Sequence, residues 1–591
     1  MPDAFRASLG RDGRLAGTHG TRAAGFRVLL RGSFANRADL IARLSPTRPA
    51  SDEELLALGL RRWGRRLQAH VLGEWAAVLA PEAGGTAVVT HDALGMMPLF
   101  TALRDGELRV ATHLSDLAPA GEAAQLDPVY LGEWLTTGGY SGHRTPFRSV
   151  RRLLPGESGE WTAGRLRILR TWKPERRDRP PSRDDEDELR ARLAQVVRGA
   201  ADDEGRTWVE LSGGLDSSTV AATAVRAGID DVAALSIFHS EWPEADERPW
   251  MRAVTDALRI PWHAIDGGEV LPFARPPGEA FAEPTIGSID GAKLAACDEL
   301  LAAHGVTRVL TGHGGDELFG ANVGWPHHVA DALVERRFAA ALTQLRSSRR
   351  AGWEHRSWRL LAVTAIARPL LRHLLGRSQS PDAELLPGWM SSEFVRSHDL
   401  RRRARRRGGH RAATPGRQLL WDGLWAIALN GSAMRQRDVA HDVRHPLADL
   451  RLVEWLAALP WERILSPGED RSLQRRAMAG LLPDRVRRRR SKGRATPAIV
   501  AGLSRSPTWF ALLTDDPRIA RAGLVDRERW IEAVRRARVG YLEADRFFLA
   551  AASLEAWMQQ LEPARAAALR STDAGSRASR SGGRGSPGAS R

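Results

Sequence analysis

The chain has 591 residues, 43% of them hydrophobic, and no apolar run of the 18 or so residues that a membrane span needs. Its one cysteine, Cys297, excludes an intrachain disulfide, and the first residues lack the apolar core of a signal peptide, so we expect a multidomain cytoplasmic protein. The net charge of +16 suggests a protein that binds nucleic acid, but no zinc-finger or aromatic-basic signature supports nucleic-acid binding. The basic runs 401–407 and 487–490 therefore indicate solvated faces, or else a surface for an acidic peptide or an anionic nucleotide.

The first part of the chain, residues 1–172, has the pattern of a layered, mainly β domain. Short apolar segments broken by Gly, Pro and Asp predict strands. The predicted strands are 26–34, 75–80, 86–92, 98–103 and 108–113, and the predicted helices are 37–44 and 52–63. The charged, Pro-rich stretch 173–187 predicts a linker.

Residues 188–562 predict an α/β domain built on a parallel sheet. Strands alternate with helices, which favours a sheet with helices on both faces. The predicted strands are 208–211, 232–238 and 308–312, and the predicted helices are 186–199, 217–227, 247–258 and 291–303. From 326 onward the pattern is helical apart from 401–417 and 485–497, and the Arg-, Ser- and Gly-rich tail 563–591 is expected to be disordered.

Lysine is rare in this chain, and its positions carry information. It occurs only at Lys173, Lys293 and Lys492, and arginine supplies the remaining basic residues. A lysine kept among arginines is a candidate for chemistry that needs a compact ammonium group. Lys492, which closely follows four arginines, is the strongest candidate, whereas Lys173 and Lys293 are expected at the surface and Cys297 in the core.

The segment Leu211-Ser212-Gly213-Gly214-Leu215-Asp216-Ser217-Ser218 lies between a predicted strand and a predicted helix. Two glycines allow a tight turn, and the helix that follows presents free N–H groups to an anion. The serine hydroxyls add donors, and Asp216 adds an oxygen ligand for Mg²⁺. The segment therefore predicts a cradle for a pyrophosphate and its metal, distinct from the usual P-loop.

This segment resembles the PP-loop of ATP pyrophosphatases, and two later segments resemble the asparagine synthetase superfamily. Residues 311–320, TGHGGDELFG, are similar to its second ATP and Mg²⁺ motif, which implies that Gly312 contacts ATP and that Asp316 holds Mg²⁺ together with Asp216. Residues 442–449 resemble its E-x-R-x-P-F-L-D segment, with departures at Asp442, Leu447 and Ala448. The resemblance also implies that adenine lies near Leu235, Ser236 and Ile237.

The first domain resembles the Ntn-type glutaminase domain of the same superfamily, through segments 32–40, 52–64, 90–100 and 145–157. Glutamine-dependent members carry a cysteine directly after the initiator methionine, where this chain has Pro2. Without that thiol the cysteine mechanism of glutamine hydrolysis is not available. We therefore expect a degenerate domain that generates no ammonia from glutamine.

Residues 489–496, RRSKGRAT, look most like the R-x-x-K-G-x-x-T pattern of lasso peptide cyclases. The resemblance implies ATP-dependent macrolactam formation through an acyl-adenylate, with Lys492 as the catalytic lysine. His313 departs from the tyrosine of β-lactam synthetases and the glutamate of asparagine synthetases, and is either a base or substrate contact or a structural histidine of the Gly-rich turn. The resemblance also implies a precursor peptide as substrate and a leader peptidase or leader-binding protein as partner. Two alternatives stay open: a small-molecule amide ligase of the asparagine or β-lactam type, and a non-catalytic nucleotide-responsive subunit.

Overall fold

The architecture is that of a computed structural model, which describes residues 5–16, 20–118, 125–137, 142–174, 184–201, 205–276, 281–320, 325–350, 357, 360, 362–377, 379, 386–405, 412–466, 469–490, 493, 496–542 and 546–561. Pro2, Lys492, most of the predicted linker and the predicted disordered tail lie outside these ranges. None of the helices in the described part of the chain is both long and apolar enough to cross a membrane.

The first domain is a layered structure of two antiparallel sheets. Its strands are β1 (Arg6–Leu9), β2 (Thr21–Ala23), β3 (Phe26–Phe34), β4 (Gly73–Pro81), β5 (Ala87–His91), β6 (Phe100–Arg104), β7 (Glu107–Ala111), β8 (Val150–Arg152), β9 (Glu157–Thr162) and β10 (Arg165–Arg170). One sheet has the order β1-β7-β6-β8 and the other β10-β9-β5-β4-β3-β2. The predicted strands and the helices Arg37–Leu44 and Asp52–Trp63 are confirmed.

Alternating side chains of β4 explain how this domain is layered. Ala76, Val78 and Ala80 pack into the core between the two sheets. Trp75, Ala77 and Leu79 face the opposite side and pack on the two helices. A strand that buries both faces needs apolar residues at successive positions, which β4 has throughout its centre.

The second domain contains a five-stranded parallel sheet of order β13-β12-β11-β14-β15. Its strands are β11 (Arg206–Glu210), β12 (Ala233–Phe238), β13 (Trp262–Asp266), β14 (Val306–Leu310) and β15 (Asp442–Arg444). The predicted α/β class is confirmed, and so are the helices on both faces. Val209, Ala234 and Leu310 contribute to the core on one face, while Trp208 and Val309 belong to the core on the other face.

Helices surround this sheet and form most of the chain after residue 325. The α-helices of the second half begin with Asp185–Ala200, Leu215–Arg226, Arg248–Leu258 and Gly291–Ala303, all close to their predicted bounds. The later ones are Gly315–Leu318, Trp325–Val334, Phe338–Arg350, Arg368–Leu374, Ser392–Ser397, Leu400–Arg405, Pro415–Asn430, Leu450–Ala458, Trp461–Ile464, Ser472–Ala477, Asp484–Arg487, Thr496–Arg505, Pro507–Thr514, Arg518–Arg521, Arg527–Arg538 and 546–561. In the first domain, helix Pro128–Thr137 packs on the four-stranded sheet.

Two strands of the parallel sheet were missing from the sequence prediction, and one expectation is corrected. Strands β13 and β15 were not predicted, because β13 is a short edge strand of mixed polarity and β15 has only three residues, two of them charged. The Arg-rich stretch after 400 was expected to be non-helical, yet it begins with helix Leu400–Arg405, which packs on helix Pro128–Thr137.

Candidate active site

The segment 211–218 forms a tight turn at the carboxyl end of β11. The backbone N–H of Leu211 bonds to the carbonyl of Leu235 at 2.8 Å, and helix Leu215–Arg226 begins four residues later. Gly213 has φ of +72°, and a Cβ there would lie 3.0 Å from Cβ of Trp250. Glycine is therefore required at this position by both conformation and space.

The three serine hydroxyls of this turn differ in their hydrogen bonds and burial. The hydroxyls of Ser212 and Ser217 lie 3.1 Å apart, and the hydroxyl of Ser217 also bonds to the carbonyl of Gly214 at 3.3 Å. Ser218 is fully buried, and its hydroxyl has no hydrogen-bond partner in the described part of the chain. Ser212 and Ser217 thus hold the turn in shape, while Ser218 lies beneath it.

A second loop, 311–317, packs directly against this turn. A Cβ at Gly312 would lie 2.5 Å from the backbone nitrogen of Ser217, and a Cβ at Gly315 would lie 2.4 Å from Cγ of Asp216. Backbone can approach this closely only where side chains are absent. These two glycines therefore bring the loop that carries Asp316 against the start of helix Leu215–Arg226.

Asp216 and Asp316 meet at one positively charged group. Nη1 of Arg471 lies 3.0 Å from Oδ2 of Asp216 and 3.0 Å from Oδ1 of Asp316. Gln474 donates to Oδ1 of Asp216 at 2.9 Å. Burial lowers the pKa of Arg471, but Asp216, Asp470 and Asp316 outweigh it and raise the pKa above its usual value. This pair of carboxylates therefore stabilises a cation.

The two carboxylates fit a Mg²⁺ site of one particular kind. In the described residues no group of three or more His, Cys, Asp and Glu side chains could hold a metal ion, so a cage made by protein ligands alone is not found there. Mg²⁺ is commonly held by one or two carboxylates together with phosphate oxygens and waters. Asp216 and Asp316 match that ligand set, and Arg471 shows that a positive charge is favourable between them.

The residues predicted to lie near adenine are at the end of β12. Leu235 and Ile237 line a cavity that also includes Leu211 and Ser212. Ser236 has a different position, because its hydroxyl bonds to the carbonyl of Leu211 at 2.7 Å and only 1% of the residue is exposed. Ser236 therefore supports the turn from below.

His313 lies at the mouth of the same cavity and is exposed. Its backbone N–H bonds to the hydroxyl of Thr311 at 3.3 Å, and its ring centroid lies 5.2 Å from that of His445. The hydroxyl of Thr311 lies 2.7 Å from Nδ1 of His445. These three residues form a polar group beside the pair of carboxylates.

Asp442, the residue that departs from the family's glutamate, takes part in ion pairs. Its Oδ2 accepts a hydrogen bond from Nε of Arg444 at 2.5 Å, and Arg435 and Arg308 lie within 3.9 Å. Burial raises the pKa of Asp442, but Arg444, Arg435 and Arg308 together lower it below its usual value. Asp442 is therefore ionised and engaged by arginines.

Part of the basic run 487–490 contacts the turn, which corrects the expectation of a solvated face. Arg489 donates to the carbonyl of Gly213 at 3.2 Å, pairs with Glu247 and lies 4.1 Å above the ring of Trp250. Only 7% of its side chain is exposed, against 69% for Arg488. Glu247 also accepts from the backbone N–H of Gly493 at 3.1 Å, so two residues that flank Lys492 in the sequence are fixed to the same carboxylate.

Lys293 and Cys297 both line the cavity, and Cys297 also packs against the core, as expected. Lys293 pairs with Asp290 and lines the cavity, although it was expected at the surface. Cys297 is partly buried and also lines the cavity, and burial raises the pKa of its thiol to about 11. Both residues belong to helix Gly291–Ala303, whose position over the sheet the sequence alone did not reveal.

The cavity has a volume of about 1200 Å³ and is formed by both domains. Arg31, Ser33 and Met97 come from the first domain, whereas Leu211, Leu235 and His313 come from the second. Apolar side chains such as Leu294, Ile427 and Met434 cover much of its wall. It extends from the turn at 211–218 to the interface between the domains.

Sequence reasoning missed Arg471, Gln474, Arg489 and Glu247. Each lies far along the chain from the residue that it contacts, and none stands in a glycine-rich motif. The repetition of arginine in 487–490 hid Arg489, and nothing in the sequence around Arg471 distinguishes it from an exposed arginine. The rarity of lysine and the resemblance of residues 489–496 to a known pattern separated Lys492 from its neighbours.

A parallel α/β sheet with a glycine turn and two carboxylates at its carboxyl edge suits a nucleotide and its metal, and the comparisons identify the class as an ATP-dependent amide ligase. Residues 188–559 match the family model for asparagine synthase, and residues 26–172 match that for the glutamine amidotransferase domain. The chain belongs to the asparagine synthase family.

Curated relatives show the same relationship at low identity. Asparagine synthetase [glutamine-hydrolyzing] 3 of Bacillus subtilis is 24% identical over 492 residues, which cover 78% of this chain and 74% of that protein. Carboxyethyl-arginine beta-lactam-synthase of Streptomyces clavuligerus is 31% identical over 240 residues, 39% of this chain and 43% of that protein. Amidase chry2 of Gibberella zeae is 25% identical over 316 residues, 48% of this chain and 45% of that protein.

Proposed function

We propose that this enzyme forms a macrolactam within a peptide, joining an Asp or Glu side-chain carboxylate to the peptide's own N-terminal amine as in lasso peptide cyclisation. The observation that carries the proposal is the cavity of about 1200 Å³ beside the turn at 211–218. Pockets for small ligands are commonly about 300–1,000 Å³. The cavity would also hold part of the ATP, and its mostly apolar wall suits a peptide segment beside the nucleotide better than a free amino acid.

In the proposed reaction the substrate carboxylate attacks the α-phosphorus of ATP, and pyrophosphate leaves. The amine then attacks the acyl-adenylate carbonyl, and AMP leaves. Asp216 and Asp316 would hold Mg²⁺, which supplies charge neutralisation on the departing pyrophosphate. Backbone N–H groups at the start of helix Leu215–Arg226 would bind the same anion, and Leu235 and Ile237 would lie against the adenine.

Two basic residues would act at the reacting carbonyl. Lys492 would stabilise negative charge in the tetrahedral intermediate, where a compact ammonium fits better than a planar guanidinium. His313, exposed at the cavity mouth, would accept a proton from the attacking amine. The apolar wall of the cavity would limit hydrolysis of the adenylate by water.

The second candidate is a small-molecule amide ligase. The similarity to carboxyethyl-arginine beta-lactam-synthase, 31% over 240 residues, favours a β-lactam-type ring closure among the small substrates. In either case the first domain would not supply ammonia, because the chain's single cysteine, Cys297, is in the second domain. The proposed partners are a precursor peptide and the protein that delivers it or removes its leader.

Pyrophosphate release tests these candidates against each other. The purified chain with ATP and Mg²⁺ is offered a linear peptide with a free N-terminus and an internal Asp or Glu, then carboxyethyl-arginine, then aspartate with ammonia. Cyclisation predicts pyrophosphate release with the peptide and a product lighter by one water. The same peptide with an acetylated N-terminus serves as the control and should give no cyclic product.

The outcome also separates the remaining candidates. Release of pyrophosphate only with carboxyethyl-arginine would replace the peptide proposal with β-lactam-type chemistry. Release only with aspartate and ammonia would indicate asparagine formation, and binding of ATP without any release would indicate a non-catalytic subunit. Glutamine added to any of these mixtures should yield no glutamate.

A further inference from the structure

Several residues of the first domain contact the second domain beside the candidate active site, and Glu74 contacts three of its residues. This residue is in β4, and its Oε1 accepts a hydrogen bond from the backbone N–H of His445 at 3.3 Å. Its Oε2 pairs with Arg435 and lies 3.5 Å from Nη1 of Arg444. Its backbone carbonyl also accepts from Arg444 at 3.3 Å. A single residue of the first domain therefore holds three residues of the second.

These contacts are buried, so the charges must be compensated locally. The side chains of Glu74, Arg435 and Arg444 are 11%, 9% and 7% exposed. Arg31 adds a contact from the first domain, because its Nη2 donates to the carbonyl of Arg435 at 3.2 Å. A buried ion pair of this kind fixes geometry strongly, since loss of one partner leaves an uncompensated charge.

From His445 the contacts continue to His313. The hydroxyl of Thr311 lies 2.7 Å from Nδ1 of His445 and accepts from the backbone N–H of His313 at 3.3 Å. Burial, together with Arg435, His313 and Arg444, holds the pKa of His445 well below its usual range. A neutral His445 can accept the Thr311 hydroxyl proton at Nδ1, which leaves the Thr311 oxygen free to accept from His313.

We propose that Glu74 is a positioning residue, through which the first domain fixes His445, Thr311 and His313 in the synthetase domain. The domain thus has a role in amide formation that does not need glutamine hydrolysis. The role in turnover rests on the proposed function, whereas the positioning itself can be measured without substrate.

The test is the ring nitrogen spectrum of His445 in the full chain labelled with heavy nitrogen in histidine, with signals identified through His445→Gln and His313→Gln. Glu74→Gln removes one negative charge at almost constant volume. We expect the Nδ1 signal of His445 to move toward that of a ring nitrogen without a hydrogen bond. With substrate, product formation should fall by about 10²-fold, as for a misplaced reacting group, while affinity for ATP and Mg²⁺ stays within about threefold.

Glu283→Gln is the matched control, because it makes the same change in another buried ion pair between the domains, that of Glu283 with Arg152. It should leave the His445 signal in place. If Glu74→Gln does not fold, the double variant Glu74→Leu/Arg435→Leu removes both partners and should shift the same signal.

An unchanged His445 signal in a folded variant would overturn the proposal, and so would an equal shift in Glu283→Gln, since that would indicate general loosening of the interface. Because the spectrum needs no substrate, failure of the proposed function leaves this result unaffected.

Discussion

Asp216 and Asp316 share a single nitrogen atom: Nη1 of Arg471 lies 3.0 Å from a carboxylate oxygen of each. Two carboxylates this close to each other repel unless a cation lies between them. The arrangement depends on Gly312 and Gly315, which let the second loop approach the first. The proposed Mg²⁺ and the phosphates of ATP would lie at this pair of carboxylates.

The first prediction concerns these carboxylates. Asp216→Asn and Asp316→Asn should each reduce pyrophosphate release by about 10²-fold or more, because an amide is a poor replacement for an anionic metal ligand. Pyrophosphate release at several Mg²⁺ concentrations measures this, with the melting temperature as a check on folding. Asp230→Asn, at an exposed turn, is the control and should be fully active. Near-normal release in either carboxylate variant would place the metal elsewhere.

The second prediction concerns the approach of the two loops. Gly315→Ala should destabilise the protein by about 1–3 kcal/mol and weaken ATP binding, because the new Cβ would overlap Cγ of Asp216 at 2.4 Å. Gly291→Ala is the matched control, since Gly291 also begins a helix and a Cβ there meets nothing within 4 Å. Thermal unfolding and ATP titration of both variants measure the effect. Equal behaviour of the two would show that the close approach is not required.

The third prediction uses the chain's bias against lysine. Lys492→Arg keeps the charge but replaces a compact ammonium, so it should lose product formation by about 10²-fold, almost like Lys492→Ala. ATP should still bind, because the turn at 211–218 is unchanged. Lys173→Arg, at an exposed position, should keep full activity. An active Lys492→Arg enzyme would remove Lys492 from the catalytic residues.

The fourth prediction concerns pH. Burial raises the pKa of Asp331 from 3.8 to about 6, despite hydrogen bonds from Gly416 and Trp461. The folded protein then holds a proton that the unfolded chain releases, so stability should fall as pH rises through this window, by about 3 kcal/mol in total. The melting temperature relative to Asp331→Asn should fall between about pH 4 and pH 7. A constant difference between the two proteins would contradict the raised pKa.

The sequence predicted those parts of the fold and site that depend on local pattern. Strands such as β3 and β4 have apolar runs bounded by turn residues, and the turn at 211–218 has its glycines in one short segment. Strand β15 was missed because Asp442 and Arg444 are charged, and the partners that compensate these charges, Glu74 for Arg444 and Arg435 for Asp442, come close only after folding. Pairing across domains has no periodicity that a sequence can show.

Pairing between distant segments also explains why the buried ion pairs of Arg471 and Arg489 were not predicted from the sequence. Arg489 stands in a run of basic residues that is typical of a solvated face, and Arg471 follows an acidic pair, yet each is paired with carboxylates from distant segments. Burial of a charge depends on a partner that arrives through tertiary structure. The proposed peptide substrate rests on the size of the cavity. This size likewise depends on how the two domains pack against each other, which the sequence does not show.

The most direct test of the proposed adenylation measures whether an oxygen atom of the peptide carboxylate is transferred to AMP. A linear peptide is prepared with heavy oxygen in the side-chain carboxylate of its acceptor Asp or Glu, and is incubated with the enzyme, ATP and Mg²⁺. If that carboxylate attacks the α-phosphorus, one labelled oxygen must leave with AMP when the ring amide forms. Adenylation of the carboxylate should give heavy oxygen in AMP in equal amount to cyclic peptide. Cyclic peptide formed with unlabelled AMP, or with ADP and phosphate, would contradict it.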